Sequence, residues 1–303
     1  MLRVHQGLSD RANRAEAEMS ELDFGAAKSE LVASAKKFGV LTIGVADVSA
    51  FDDQPEGCRP EDLLPGAKCV IVAGGEPPRA GDWISPNYQH METSGTSDRI
   101  GVIALRLARL IENRFGYYAL FVPPGVDAGN QPFLSVMAAA EKAGCGSRSL
   151  AGPILHSEYG FMHYAAVVTT LPLPADEPLA EPACPAPECV EMWDEKATTP
   201  CMNVCPIGGG GCIGGKIEDG RITERQYDKA RCTSRVYNYW VPGFQKALES
   251  ALDEDDNERR KMILYSSFFT RTLWSMTYAT NSQGQCFECM RVCPVGRERR
   301  TKK

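Results

Sequence analysis

No apolar run in the 303 residues reaches the ~18 needed to cross a bilayer, so a membrane-spanning protein is not expected. Positive charge is not in surplus either: 33 Lys and Arg stand against 39 Asp and Glu, a net of −6. A protein whose main partner is a polyanion needs an excess of base to neutralise phosphates, so nucleic acid is not the expected partner. The opening residues, Met1-Leu2-Arg3-Val4-His5-Gln6-Gly7, carry no apolar leader segment and no twin arginine, and the expected location is cytoplasmic. Glycines 208–211 lack the Lys-Ser/Thr that would make them a phosphate cradle, and read as a flexible turn. What is plentiful is cysteine. Of twelve, three (Cys58, Cys69, Cys145) precede residue 184, and nine come from there onward.

Disulfides would need an oxidising compartment, and nothing in the sequence directs the chain to one. Zinc sites usually present two C-x2-C knuckles, with no reason for a proline after the last ligand. Here Cys286-Phe287-Glu288-Cys289-Met290-Arg291-Val292-Cys293-Pro294 reproduces the last three ligands and the proline of the bacterial ferredoxin pattern. Upstream, Cys201-Met202-Asn203-Val204-Cys205-Pro206 repeats its ending. Two iron–sulfur clusters are therefore expected.

In two-cluster ferredoxins the cysteine before each proline serves the other cluster. By that rule Cys205 joins Cys286 and Cys289, with Cys232 as their fourth ligand. Cys293 joins Cys201, completed by Cys184 and Cys189. That makes eight ligands and two 4Fe–4S clusters. Eleven residues separate Cys189 from Cys201 where ferredoxins have two, so Cys212 stands as an alternative to Cys184. Cys58, Cys69 and Cys145 read as small buried hydrophobes.

The first half alternates helical and strand-like patterns: helix over 24–38, strand 40–46, strand 69–73, a long loop 75–97 and a helix capped by Asp98. A strand at 117–122, a helix over 132–142 and a strand at 161–170 complete one α/β domain over residues 1–175. The proline-rich stretch 172–187 marks a boundary, and residues 176–303 form a second domain holding the cysteine motifs. The loop 75–97, with Trp83, Tyr88 and His90, is longer than a plain connection and reads as a lid over a flat ligand or as an ordinary anchored loop. Phe268, Phe269, Trp274 and Tyr278 read as packing beneath the clusters. Residues 253–261 read as an exposed, charge-laced helix. His163, on strand 161–170, reads as a satisfied interior histidine.

With these residues in view the chain resembles the epoxyqueuosine reductase and reductive dehalogenase superfamily over nearly its whole length. The resemblance is carried by residues 38–46 and 64–72, by Ala140-Glu141-Lys142-Ala143-Gly144-Cys145-Gly146, by Glu158-Tyr159-Gly160 and by residues 170–176. It implies a nitroreductase-like α/β domain holding base-off cobalamin, beside an α+β ferredoxin-like domain that relays low-potential electrons to cobalt. The family would place cobalamin against Gly144, Gly146, Arg148 and Gly160. Tyr159 and His156 lie where the family builds its pocket, as candidate proton donors. At the family's catalytic acid stands Asn130, whose amide cannot donate a proton as a carboxylic acid does. That departure and the acidic balance point to a small organic substrate, with electrons from an external ferredoxin- or flavodoxin-type donor. A cobalamin-free reductase of the same fold and a non-catalytic electron carrier are the alternatives.

Overall fold

The computed structural model describes residues 22–75, 78, 80–84, 96–122, 133–205, 211–228, 231–232, 240–275 and 287–301. Helix α1 (Phe24–Lys37) starts where Asp23 accepts hydrogen bonds from the N–H groups of Gly25 and Ala26, and buries Ala27, Leu31 and Ala35. Strand β1 (Thr42–Asp47), a 3-10 turn (Val48–Phe51) and the short helix α2 (Pro60–Leu63) lead into β2 (Cys69–Gly74). Helices α3 (Ala80–Ile84) and α4 (Thr96–Leu110) follow, and a π turn (Ile111–Phe115) ends α4 ahead of β3 (Ala119–Val122). Helix α5 (Val136–Lys142), the short strands β4 (Ser147–Arg148), β5 (Ile154–His156) and β6 (Gly160–Phe161), and β7 (Tyr164–Thr169) close the first half.

The main sheet has the order β1-β2-β7-β3, and every pairing in it is antiparallel. Helix α4 carries the chain from β2 to β3, which run the same way, and β7 is inserted between them in the opposite sense. β2 and β7 are buried along their whole length because helices cover both faces. Cys69, Ile71, Ala73, Ala165 and Val167 pack against α1 and α4. The alternate residues Val70, Val72, Ala166 and Val168 pack against α5. Asp176 latches the outer edge of β1. Its carboxylate accepts from Lys28 Nζ at 2.6 Å and from Val45 N–H at 2.9 Å, and its own N–H donates to the Val45 carbonyl.

The second half runs through α6 (Pro187–Lys196) and α7 (Pro200–Asn203) to the hairpin β8 (Ile213–Glu218) and β9 (Arg221–Tyr227). Helices α8 (Trp240–Leu252), α9 (Asn257–Leu264) and α10 (Ser267–Ser275) pack on one another, and α11 (Glu288–Arg291) and α12 (Arg297–Thr301) follow. No described helix is long and apolar enough to cross a membrane.

The mixed α/β content matches the expectation, and several boundaries differ from it. The helix expected over 132–142 begins at Val136, because the Ser135 hydroxyl accepts from the Ala138 N–H and fixes the start there. Asp98 lies inside α4 rather than before it, and the expected loop 75–97 contains α3. The strand expected at 161–170 breaks at Met162 and His163, where the His163 carbonyl accepts from Gly75 N–H and the chain changes sheets. Cys69 and Cys145 are buried, whereas Cys58 is only half-buried. Phe268, expected in the core, is 40% exposed; Phe269 instead stacks edge-on against Phe244. The charged stretch 253–261 does form a helix end, with Asp256 accepting from Arg259 N–H at the start of α9. Tyr88, His90 and Tyr278 lie outside the described residues, as does the side chain of Trp274.

Candidate metal centres

Eight of the nine late cysteines fall within the described residues, all of them as thiols, and they gather in two groups. Cys184, Cys189, Cys201 and Cys293 lie close enough to act on one another electrostatically. Cys212, Cys232 and Cys289 gather around Tyr227, and Cys205 joins them through Cys212. Cys286 lies outside the described residues. Each group mixes the two sequence motifs: Cys293 sits with the upstream set and Cys205 with the downstream one. Cys212 stands with Cys205, not in the place of Cys184.

One core holds both groups. Leu150, Ala151, Leu155, Phe161, Ile213, Phe287 and Met290 are its buried residues, and Cys184, Cys201, Cys212, Cys289 and Cys293 pack against it. It draws on both halves of the chain, and hydrogen bonds between backbone and side chains fasten the halves there. Ala183 N–H donates to Ser147 Oγ at 2.7 Å, Leu150 N–H to Cys184 Sγ at 3.5 Å, and Arg225 to the Ser149 and Arg148 carbonyls. Trp83 packs on the same core, and its carbonyl accepts from Arg291.

Burial, with the neighbouring sulfurs adding to it, pushes the Cys184 thiol up to about 12 and that of Cys189 to about 11. Burial also raises Cys201, against a hydrogen bond to Thr199 that pulls the other way. Thr199 caps helix α7, yet its hydroxyl bonds no backbone N–H of that helix. It lies 3.2 Å from Cys201 Sγ instead. Sequence reasoning missed Thr199 and Tyr227. The Thr-Pro-Cys order of 199–201, a cap residue directly before a cysteine-bearing turn, was the available signal for the first.

Among the described residues, no three Cys, His, Asp or Glu side chains converge as ligands of one metal ion would. The thiols of a cubane each bind a different iron and are spread around it, so the donor chemistry is the relevant test. Two groups of soft thiols at a common core suit iron–sulfur clusters.

The residues named for cobalamin each have a close partner within the protein. A Cβ on Gly144 would come within 2.4 Å of the Glu177 carbonyl oxygen, and one on Gly146 within 2.8 Å of that of Leu155. Gly160 faces the Val295 carbonyl in the same way. Arg148 lies 3.6 Å from the Glu141 carboxylate, which also accepts its backbone N–H. Backbone lies against the Cβ side of the three glycines, and a carboxylate faces Arg148.

His156 and Tyr159 share one tight turn. His156 Nδ1 accepts from the N–H groups of Glu158 and Tyr159 at 3.1 and 3.4 Å, which leaves the ring proton on Nε2. Arg299 pairs with Glu158 and lies 4.6 Å above the Tyr159 ring. Asn130 lies outside the described residues.

Burial, with Arg299 second, holds His156 below its ordinary value of 6.5. As pH falls through 6.5, the unfolded chain therefore takes up a proton before the folded one does. Native stability is expected to drop from there downward until His156 itself protonates. Urea midpoints at pH 7.5 and 5.5 measure this, and the difference should shrink in His156→Gln.

Three solved structures resemble the chain, two of them at TM-scores above 0.5. An epoxyqueuosine reductase from Bacillus subtilis, solved with its catalytic aspartate loop swung out, aligns at 18% identity and a TM-score of 0.55. The alignment covers 91% of this chain and 67% of that one. The chain has the fold of the epoxyqueuosine reductases. A second such reductase, solved with an epoxyqueuosine-modified tRNA stem loop, matches over the same shares at 19% identity and a TM-score of 0.53. A catabolic reductive dehalogenase, NpRdhA, aligns over 84% of this chain and 36% of its own, at 17% identity and a TM-score of 0.41. No protein-family model matches the chain. No curated protein matches it either.

Proposed function

We propose that the chain is a reductase of the epoxyqueuosine reductase fold, in which two 4Fe–4S clusters relay single low-potential electrons to a small organic substrate. Its two domains are residues 1–175, which take the substrate, and 176–303, which hold the clusters. The gathering of cysteines into two groups, each drawn from both motifs, carries this reading. Cys184, Cys189, Cys201 and Cys293 would hold one cluster; Cys205, Cys232, Cys286 and Cys289 would hold the other. The clusters supply one-electron reduction. The protein's own residues supply the setting: the shared core packs beside the sulfurs, and Thr199 and the Leu150 N–H donate toward Cys201 and Cys184. An external ferredoxin- or flavodoxin-type protein would deliver the electrons.

A hydrogen bond to a ligand sulfur favours the more negative, reduced cluster. Losing the Thr199 hydroxyl is expected to cost about 1 kcal/mol of that preference, or roughly 45 mV for one electron. Thr199→Val should lower the potential of the first cluster by about that much, and Thr199→Ser should leave it in place. Redox titration followed by paramagnetic resonance reads both.

Iron and sulfide near eight each per chain after anaerobic purification are the expected result. Stoichiometric zinc without sulfide would end the reading. Tight binding of an epoxyqueuosine-bearing stem loop would overturn the small-molecule substrate, which rests on the net charge of −6 and on Asn130. The resemblance supports a cobalamin, which would pass the clusters' electrons to the substrate. The packing of Gly144, Gly146, Gly160 and Arg148 favours a second reading, reduction without a corrin. Adding cob(II)alamin under argon separates the two. Co-elution with shifted visible bands supports the first, and an unbound corrinoid supports the second.

A further inference from the structure

The second group of thiols has one member too many. Cys205, Cys232, Cys286 and Cys289 suffice for four irons, and Cys212 is the ninth late cysteine. Its sulfur lies 3.7 Å from Cys205 Sγ, and it also bonds Cys232. Ligands of separate irons in a cube are held well apart by it, so a contact pair leaves one of its sulfurs outside the ligand set.

Neighbouring residues hold this contact in place. A Cβ at Gly211 would come within 2.9 Å of Cys205 Cβ, so only glycine, here at φ +77°, lets the chain close on Cys205. The Cys212 carbonyl accepts from Asp228 N–H at 2.8 Å, which fixes Cys212 at the foot of the β8–β9 hairpin. Cys205 and Cys212 are both partly exposed and so within reach of a small oxidant.

We propose that Cys205 and Cys212 are a thiol pair that closes to a disulfide when the second centre is without iron, making loading of that centre dependent on thiol redox state. This rests on the reading of Cys205 as a cluster ligand. The sulfurs need to approach from 3.7 Å to the S–S distance of about 2 Å. With oxidised glutathione as oxidant, one protein thiolate attacks the glutathione disulfide and releases one glutathione thiolate. The other protein thiolate then attacks the mixed disulfide and releases the second. The protein loses two protons and two electrons, and one glutathione disulfide becomes two glutathione thiols. Iron cannot bind Cys205 while that bond stands.

The test uses the full chain. Apoprotein is incubated with oxidised glutathione, alkylated, digested and mapped by mass spectrometry. A second portion is offered iron and sulfide before and after dithiothreitol. The expected result is a peptide linked through Cys205 and Cys212, with about half of the normal iron uptake withheld until reduction. Cys212→Ser should take up full iron and ignore the glutathione treatment. A link through Cys232 instead, or no link, would overturn the pair. So would loss of half of the iron in untreated Cys212→Ser, which would make Cys212 a ligand. Absence of any iron–sulfur uptake by reduced wild-type chain would count against the proposed function, while the peptide map would still report on the pair.

Discussion

Chains carrying Cys201→Ala are expected to keep about half of the wild-type iron, and so are chains carrying Cys232→Ala, with almost none left in the double variant. On the proposed assignment each substitution removes one ligand from a different four-iron centre. The discriminating variants are those at the motif ends. Cys293→Ala should match Cys201→Ala, although Cys293 lies four residues from Cys289 in the sequence. Cys289→Ala should match Cys232→Ala. The match is read from the paramagnetic signal of the reduced centre that remains, which should be common to Cys201→Ala and Cys293→Ala and different in the other two. If Cys293→Ala and Cys289→Ala leave the same signal, each motif holds its own cluster and the crossed assignment is wrong.

Gly296→Ala is expected to cost about 3 kcal/mol of stability, roughly 5–10 °C in melting temperature. A Cβ there would stand 2.6 Å from Gly160 N and 2.7 Å from the Tyr159 carbonyl oxygen. From the other side, a Cβ on Gly160 would meet the Val295 carbonyl oxygen at 2.6 Å. These two turns cross backbone against backbone, and neither has room to give. Gly296 also holds φ +72°, so the substitution adds left-handed strain to the clash. Gly220→Ala is the control, since Gly220 has nearly the same φ, +71°, and nothing within 4 Å of the position of a Cβ. It should cost only about 1 kcal/mol. Equal losses in the two variants would show that the crossing does not matter. Gly296→Ala should also lower iron in the first centre, because Cys293 enters the same turn.

The strands at the centre of the sheet were legible as unbroken apolar runs, 69–73 above all, because a strand covered on both faces needs no polar side. Helix α4 was legible from its apolar spacing. The insertion of β7 between β2 and β3 was not, since pairing order is decided by which faces close over the core rather than by any local pattern. The start of α5 was missed for a local reason: the Ser135 cap sets it at Val136. Around the centres, the cysteine spacing announced the residue types, and the turn that seats His156 and Tyr159 under Arg299 did not show. A glycine in a sequence also looks the same whether it faces a ligand or another stretch of backbone. Gly144, Gly146 and Gly160 face backbone.

With the proposed crossed ligation, each centre would be a staple. Iron shared by Cys184 and Cys293 would close a loop of about 110 residues, the kind of long-range tie for which a covalent link restricts the unfolded chain most. Neither motif cut out as a peptide would form a complete centre, and loss of iron would loosen the joint between the halves as well as the path for electrons.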